Sequence, residues 1–383
     1  MQVVSFGVAA LYSGMCCLRW ARDGGREGAW GQLGLLSGMV CVGSVAGAVA
    51  WGANMQFTVV FSEGNIPGLS SQQQYTLSAS ASRFGAVFVI LYGFEFLFFI
   101  ICKLMLLGRL ATNNTLSSQA DVTDMSGVRR RWLSDRALPN VYRVMAGAVV
   151  VGSVVCLVAD VVAGAYAVQQ AGLSDQAAAA CDAAGNDTNS SLALSNAVNI
   201  LNAKSNTAAS VQSSSEALTL LLVSVAFVVV VSWTSALFRM MERAAVGALL
   251  ANSDGRTMRA SEANAAKIAG DTMQAAAAQR RRLTAACLIV LITFPARAAF
   301  DLLQAYAFFN DPLNSACRQC DPCQSTPFLI NIWLNYTPEF QPIVVAVSSP
   351  LPLTLAMWLL TKAVVRVRLI AADVERARAV DGV

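Results

Sequence analysis

Four charged residues stand inside long apolar stretches of the chain, and they are the side chains best suited to chemistry. Glu95, Asp160, Arg297 and Asp301 each interrupt a run of mostly apolar residues. A charge inside an apolar helix is unfavourable unless it is paired or reached by water. Arg297 and Asp301 are four residues apart, so they share a helix face and can pair directly. Charges of this kind mark ion or substrate pathways, or they hold helices together.

These four residues predict an intramembrane polar site. Glu95 lies 11 residues into its apolar stretch, roughly 16 Å along a helix and close to the middle of a bilayer. Asp160, Arg297 and Asp301 lie in the outer halves of their stretches. Together they can line a polar cavity that opens outward. The alternative is structural: one internal Arg–Asp pair and singly hydrogen-bonded carboxyls that stabilise the bundle.

The chain contains no histidine among its 383 residues. This absence excludes bis-histidine haem sites, Ser-His proteolysis and histidine-based zinc hydrolase centres. No phosphate-binding lysine loop and no Gly-x-Gly-Asp protease signature occurs. Lys362 falls at the end of the last apolar stretch, whereas a retinal protein needs a lysine near its middle. We therefore predict a protein that is not an enzyme, takes no cofactor or metal, and binds no nucleic acid.

Seven apolar stretches must position these residues. The composition is 56% hydrophobic and only 13% charged, which is typical of a membrane protein. A helix that crosses the hydrocarbon core needs about 20 apolar residues. The stretches are Gln2–Leu18, Trp30–Ala53, Phe84–Leu107, Val141–Val168, Ala217–Phe238, Leu283–Tyr306 and Pro342–Thr361. They predict an all-α, single-domain bundle of seven transmembrane helices, in which the first is a signal anchor or, alternatively, a cleaved signal peptide.

The basic residues between the stretches predict the orientation. Of the 27 Lys and Arg residues, 21 fall in the segments that follow spans one, three, five and seven. Cytoplasmic loops carry such an excess. The N-terminus is therefore predicted outside and the C-terminus in the cytoplasm.

The segments predicted outside carry glycosylation and disulfide signals. They comprise a long loop, Gln169–Glu216, and a cysteine-rich loop, Ala307–Gln341. Asn186, Asn189 and Asn335 stand in N-x-S/T acceptor sequences. Four cysteines lie in these loops and predict two disulfides, because disulfides persist outside the cytoplasm; they are Cys181, Cys317, Cys320 and Cys323. Their pairing is not derivable, and zinc binding is the alternative.

The predicted cytoplasmic side carries two arginine triplets. Met240–Arg282 lacks proline and is expected to extend spans five and six as helices that break near Asn252-Ser-Asp-Gly. The triplets are Arg129, Arg130 and Arg131, and Arg280, Arg281 and Arg282. They can contact a cytoplasmic protein or anionic lipid headgroups. The alternative is that they only set the orientation.

The last 100 residues resemble a family of seven-span membrane proteins. The residues that carry the resemblance are Arg280-Arg-Arg-Leu, Pro295-Ala-Arg-Ala-Ala-Phe-Asp301 and Trp333-Leu-Asn-Tyr-Thr-Pro-Glu339. These segments are similar to the plant tobamovirus-multiplication family and its animal lysosomal relatives. The resemblance implies a non-enzymatic receptor, adaptor or scaffold. The cysteine-rich loop and the long outer loop depart from that pattern.

These observations favour a receptor-like or adaptor protein of a eukaryotic plasma membrane or endomembrane. Its partners would be the lipid bilayer and a cytoplasmic protein or anionic lipid. The first alternative is a secondary transporter or channel that uses the intramembrane charges. Against it, the seven unequal spans show no inverted repeat. The second alternative is a structural protein whose outer loop makes the contacts.

Overall fold

A computed structural model of the chain describes residues 2–23, 28–64, 66–119, 137–183, 188–252 and 260–309, with positions 330, 344 and 355. Within these ranges the protein is helical and contains no strand. The helices are α1 (Gln2–Asp23), α2 (Gly28–Gly64), α3 (Ser71–Gln119), α4 (Ala137–Ala183), α5 (Thr188–Asn252) and α6 (Ala260–Phe309). The predicted all-α class is therefore observed.

Five segments of these helices are long and apolar enough to cross a membrane. They are Gly34–Gly64, Ser71–Gly108, Tyr142–Cys181, Asn196–Trp233 and Arg280–Phe309. They contain most of predicted spans two to six, and they identify an integral multi-pass membrane protein. The apolar part of α1, Val3–Leu18, is shorter than these five. Predicted span seven lies outside the described residues, apart from two isolated positions.

The helices extend further than the apolar stretches predict. The predicted loop Gln169–Glu216 is helical in its described part, because α4 continues to Ala183 and α5 begins at Thr188. Its Ala, Ser, Asn and Gln residues reduce hydropathy without breaking a helix, and the segment contains no proline. On the other side of the apolar stretches, α5 continues to Asn252 and α6 begins at Ala260. The predicted helical extension of Met240–Arg282 is thus present.

The connection between α2 and α3 shows how local sequence ends one helix and begins the next. Gly68 adopts φ +97°, a conformation that glycine tolerates without strain. The Gln73 backbone N–H donates to Ser70 Oγ at 3.3 Å, and the Ser70 N–H donates to Gln73 Oε1 at 3.1 Å. This reciprocal pair is a capping box. It sets the start of the helix that carries Glu95.

The described helices group into two compact units. The first comprises the described parts of Met1–Leu104, Ala146–Leu222 and Phe294–Leu351. The second comprises those of Met105–Met145, Val223–Thr293 and Pro352–Val383. All the buried charges discussed below lie in the first unit.

Small residues allow close helix packing in the first unit. Phe6 of α1 stacks on Phe99 of α3, with ring centroids 6.2 Å apart. Gly43 of α2 faces Phe99, and a Cβ atom at Gly43 would lie 3.2 Å from that ring. Gly152 of α4 similarly faces Thr219 of α5, and a Cβ atom at Gly152 would lie 2.5 Å from the Thr219 hydroxyl oxygen. Such glycines let neighbouring helix backbones approach closely. Close packing matters in a membrane because the hydrophobic effect does not drive helices together there.

Candidate functional site

Six charged side chains are buried in the first unit, and we call them the charge cluster. Each residue is only 1–2% exposed. They are Glu95 and Lys103 of α3, Asp160 of α4, Glu216 of α5, and Arg297 and Asp301 of α6. Glu216 interacts electrostatically with Glu95, Lys103, Asp160 and Asp301 and forms an ion pair with Arg297. The cluster therefore involves four helices.

Arg297 connects two acidic residues. Its Nε donates to the Asp301 carboxylate at 3.0 and 3.3 Å, which is the pair expected from their four-residue spacing. Its Nη2 donates to Glu216 Oε1 at 2.8 Å. Both interactions are charge-assisted hydrogen bonds. We call Arg297, Asp301 and Glu216 the arginine clamp; it ties α6 to α5.

Both carboxylate oxygens of Glu216 accept hydrogen bonds from other side chains of the site. Tyr92 Oη of α3 donates to its two carboxylate oxygens at 2.9 and 3.1 Å. Gln212 Nε2, one turn earlier on α5, donates to Oε2 at 2.9 Å. The Arg297 guanidinium carbon also lies 5.5 Å from the Tyr92 ring centroid. Tyr92 therefore connects α3 to the arginine clamp through both its hydroxyl and its ring.

Lys103 is the second basic group of the cluster. Its ammonium nitrogen lies 4.1 Å from the centroid of the Phe294 ring on α6, a cation–π contact. Lys103 interacts electrostatically with Glu216, Glu95 and Asp301. It thus adds a second positive charge to the cluster that contains Arg297.

Glu95 and Asp160 lie outside the arginine clamp. Asp160 packs against Gly93, where an added Cβ would lie 2.5 Å from its Oδ2. That oxygen is 4.0 Å from the Cys156 sulfur, a weak hydrogen bond. Glu95 Oε2 has no hydrogen-bond partner in the described part of the chain. The four residues predicted as one polar site therefore occupy three different environments.

The cluster contains more acidic than basic groups. Four carboxyls accompany two basic side chains, so a fully ionised cluster would carry a formal charge of −2. An uncompensated charge is costly in a medium of low dielectric constant. Such a cluster can act as a conformational switch, take up a cation or relay protons. Among the described residues, no group of three or more Cys, Asp or Glu side chains is placed to hold a metal ion.

Sequence reasoning missed three members of this site. Glu216 directly precedes the apolar run that begins at Ala217, so it was assigned to the outer loop. Lys103 lies near the end of the third apolar stretch, where the sequence does not show that it is buried. Tyr92 is uncharged, so it does not stand out within its apolar stretch. One signal in the sequence points to Glu216. If α5 begins before Ala217, as it does in the structure, the four-residue spacing places Gln212 and Glu216 on the same helix face.

Several other predicted sites lie wholly or partly outside the described residues. Cys181 is half-buried near the end of α4 and forms no disulfide with a described cysteine. Asn189 lies in the first turn of α5. Within the second triplet, Arg281 is exposed and its two neighbours are half-buried. The sites outside the described residues are Cys317, Cys320, Cys323, Asn186, Asn335, Arg129, Arg130 and Arg131.

Comparisons with known protein families, with curated proteins and with solved structures return no match. Of the segments that carry the resemblance described above, Pro295–Asp301 supplies two residues of the arginine clamp. Trp333–Glu339 lies outside the described residues.

Proposed function

We propose that this protein is a non-enzymatic receptor or adaptor of a eukaryotic plasma membrane or endomembrane. It would cross the membrane seven times, with its N-terminus outside and its C-terminus in the cytoplasm. The single observation that carries the proposal is the arginine clamp, a buried set of directed ion pairs between α5 and α6. Helix α5 continues beyond its apolar segment to Asn252, and α6 begins before its apolar segment at Ala260; we infer that these extensions are cytoplasmic.

The arginine clamp can serve as the two-state element that a receptor needs to respond to a ligand. Arg297 has two acidic partners and one unpartnered nitrogen, Nη1, within the described residues. A ligand or partner that favours one pairing over the other would shift α6 relative to α5. Such discrete pairings make helix positions bistable rather than continuously variable. Arg280 lies 17 residues before Arg297 on the same helix.

The proposed cytoplasmic contact is the triplet Arg280–Arg282. Its exposed member, Arg281, is available to an acidic protein surface or to anionic lipid headgroups. Each basic residue at a lipid surface contributes about 1 kcal/mol.

The test measures which cytoplasmic proteins crosslink to the full chain in intact cells. We compare the wild type with the triple variant Arg280→Gln, Arg281→Gln, Arg282→Gln. The matched control is Lys362→Gln, Arg366→Gln, Arg368→Gln, which removes the same charge from the predicted cytoplasmic tail. Selective loss of a reproducible partner in the first variant supports the adaptor. Equal crosslinking in all three proteins contradicts it.

A secondary transporter is the second candidate, favoured by the excess of acidic groups in the charge cluster. In a transporter, Glu95 would be a coupling group that alternately binds and releases a cation. The measurement is proton- or sodium-driven uptake into vesicles that contain the wild type or Glu95→Gln. Gradient-driven flux that disappears in the variant would favour the transporter over the receptor.

A further inference from the structure

One carboxylate oxygen of Glu95 faces α2. Its Oε2 lies so close to Gly47 that a Cβ atom there would be 2.9 Å away. The same Cβ would lie 2.6 Å from the Phe6 ring of α1. The residue is 2% exposed, and Oε2 has no hydrogen-bond partner in the described part of the chain. Glu95 is thus a buried acid with one carboxylate oxygen against a glycine of α2 and without a hydrogen-bond partner for that oxygen among the described residues.

A second unpartnered polar group lies one helical turn from Gly47 on α2. Ser44 precedes Gly47 by three residues and therefore lies one turn away on the same face of α2. Its side chain is 0% exposed, and its hydroxyl has no hydrogen-bond partner among the described residues. In most helices such a serine bonds a carbonyl of its own helix, as Ser13 does with Ala9 at 2.6 Å. Ser44 instead keeps its hydroxyl available.

The charges around Glu95 leave it without full compensation. The only charged residue of α2 is Glu63, 16 residues beyond Gly47, and the contact from α1 is the apolar ring of Phe6. Lys103, on its own helix, is the attractive charge, whereas Glu216 of α5 is repulsive. Lys103 also attracts Glu216, and Arg297 is engaged by the clamp. A water molecule would supply hydrogen bonds here but no charge.

We propose that Glu95 and the Ser44 hydroxyl form a site for one monovalent cation, either a sodium ion or a proton. Carboxylate and hydroxyl oxygens are the ligands that hard cations prefer. Asp160 is the weaker candidate, because its Oδ2 already has the Cys156 thiol 4.0 Å away. The cation would neutralise Glu95 and hold α3 against α2. This site goes beyond the receptor or adaptor function, and it names the cation ligands that the transporter candidate would use.

The experiment uses the full chain in nanodiscs of uncharged lipid and follows its thermal unfolding. Sodium is exchanged for N-methyl-D-glucamine at constant ionic strength, at mildly alkaline and mildly acidic pH. If sodium is the ligand, the wild-type Tm rises with sodium at alkaline pH. If the proton is the ligand, the Tm rises on acidification without sodium, and an infrared carboxylic acid band disappears in Glu95→Gln. In either case the response is lost in Glu95→Gln and kept in Glu63→Gln, the exposed control on α2.

Two further variants keep the test decisive if Glu95→Gln does not fold. Ser44→Ala removes one ligand oxygen, and the sodium concentration for half-maximal stabilisation should rise about tenfold. Glu95→Asp keeps the charge but shortens its reach towards Ser44, so it should also weaken the response. A wild-type Tm that responds to neither cation, or an equal response in the Glu95 variants, overturns the site. Neither result affects crosslinking at Arg280–Arg282, which tests the proposed function separately.

Discussion

Arg297 of α6 donates a 2.8 Å hydrogen bond to Glu216 of α5, and both side chains are at most 3% exposed. Removing only one member of a buried pair leaves the other charge without compensation. That loss typically destabilises a protein by about 3–5 kcal/mol, whereas removing both members can be nearly neutral. The Arg297–Glu216 pair therefore allows a quantitative prediction of how variants change the free energy of unfolding.

We expect Arg297→Gln to lower the free energy of unfolding by about 3–5 kcal/mol, since it leaves Glu216 and Asp301 buried without their basic partner. The double variant Arg297→Gln, Glu216→Gln should lose less than the sum of the two single variants. Unfolding measurements on all four proteins of this cycle give the coupling energy. Additivity within about 0.5 kcal/mol would mean that the two residues do not interact.

Gly47→Ala should destabilise the protein, and Gly52→Ala should not. A Cβ at Gly47 would lie 2.6 Å from the buried Phe6 ring, whereas nothing lies within 4 Å of one at Gly52. Overpacking of this kind costs about 1–3 kcal/mol. Alanine at Gly52 should be neutral or stabilising by up to about 1 kcal/mol, because alanine favours a helix. The comparison uses Tm values of the two variants, and equal effects would refute the close α1–α2 packing at Gly47.

The orientation can be tested with a single new glycosylation acceptor. Asp254→Thr converts Asn252-Ser-Asp into an N-x-T sequence between α5 and α6. We expect no added glycan there in a eukaryotic host, because this segment is predicted to be cytoplasmic. Asn186 or Asn189 should carry a glycan, which Asn186→Gln with Asn189→Gln would remove. Glycan at Asn252 would reverse the proposed orientation.

The cysteines predicted outside should be oxidised, with at least one bridge from Cys181 to the segment Cys317–Cys323. Such a bridge typically stabilises a fold by about 2–4 kcal/mol through the unfolded state. Peptide mapping without reduction measures the linkage, and Cys181→Ser should lower the Tm. Cys156, which is buried and reduced within α4, provides the free-thiol reference. Four free thiols, or a stoichiometric zinc ion, would contradict this prediction.

The sequence by itself determined the membrane class, the approximate positions of five apolar helices and the Arg297–Asp301 pair. Hydropathy and four-residue spacing are local properties, and a helix converts them directly into burial and contact. The true extent of α4 and α5 was not visible, because their polar residues are compatible with both a helix and a loop.

Only the tertiary structure decided which charges meet. Glu216 and Lys103 enter the cluster because α3, α5 and α6 pack at those levels, and no spacing along one helix reports the register between helices. The same packing brings Glu95 against Gly47 and leaves its Oε2 without a partner among the described residues. Compensation of a buried charge depends on neighbours from other helices, so sequence alone located Glu95, Asp160 and Asp301 but could not show how each of them is compensated.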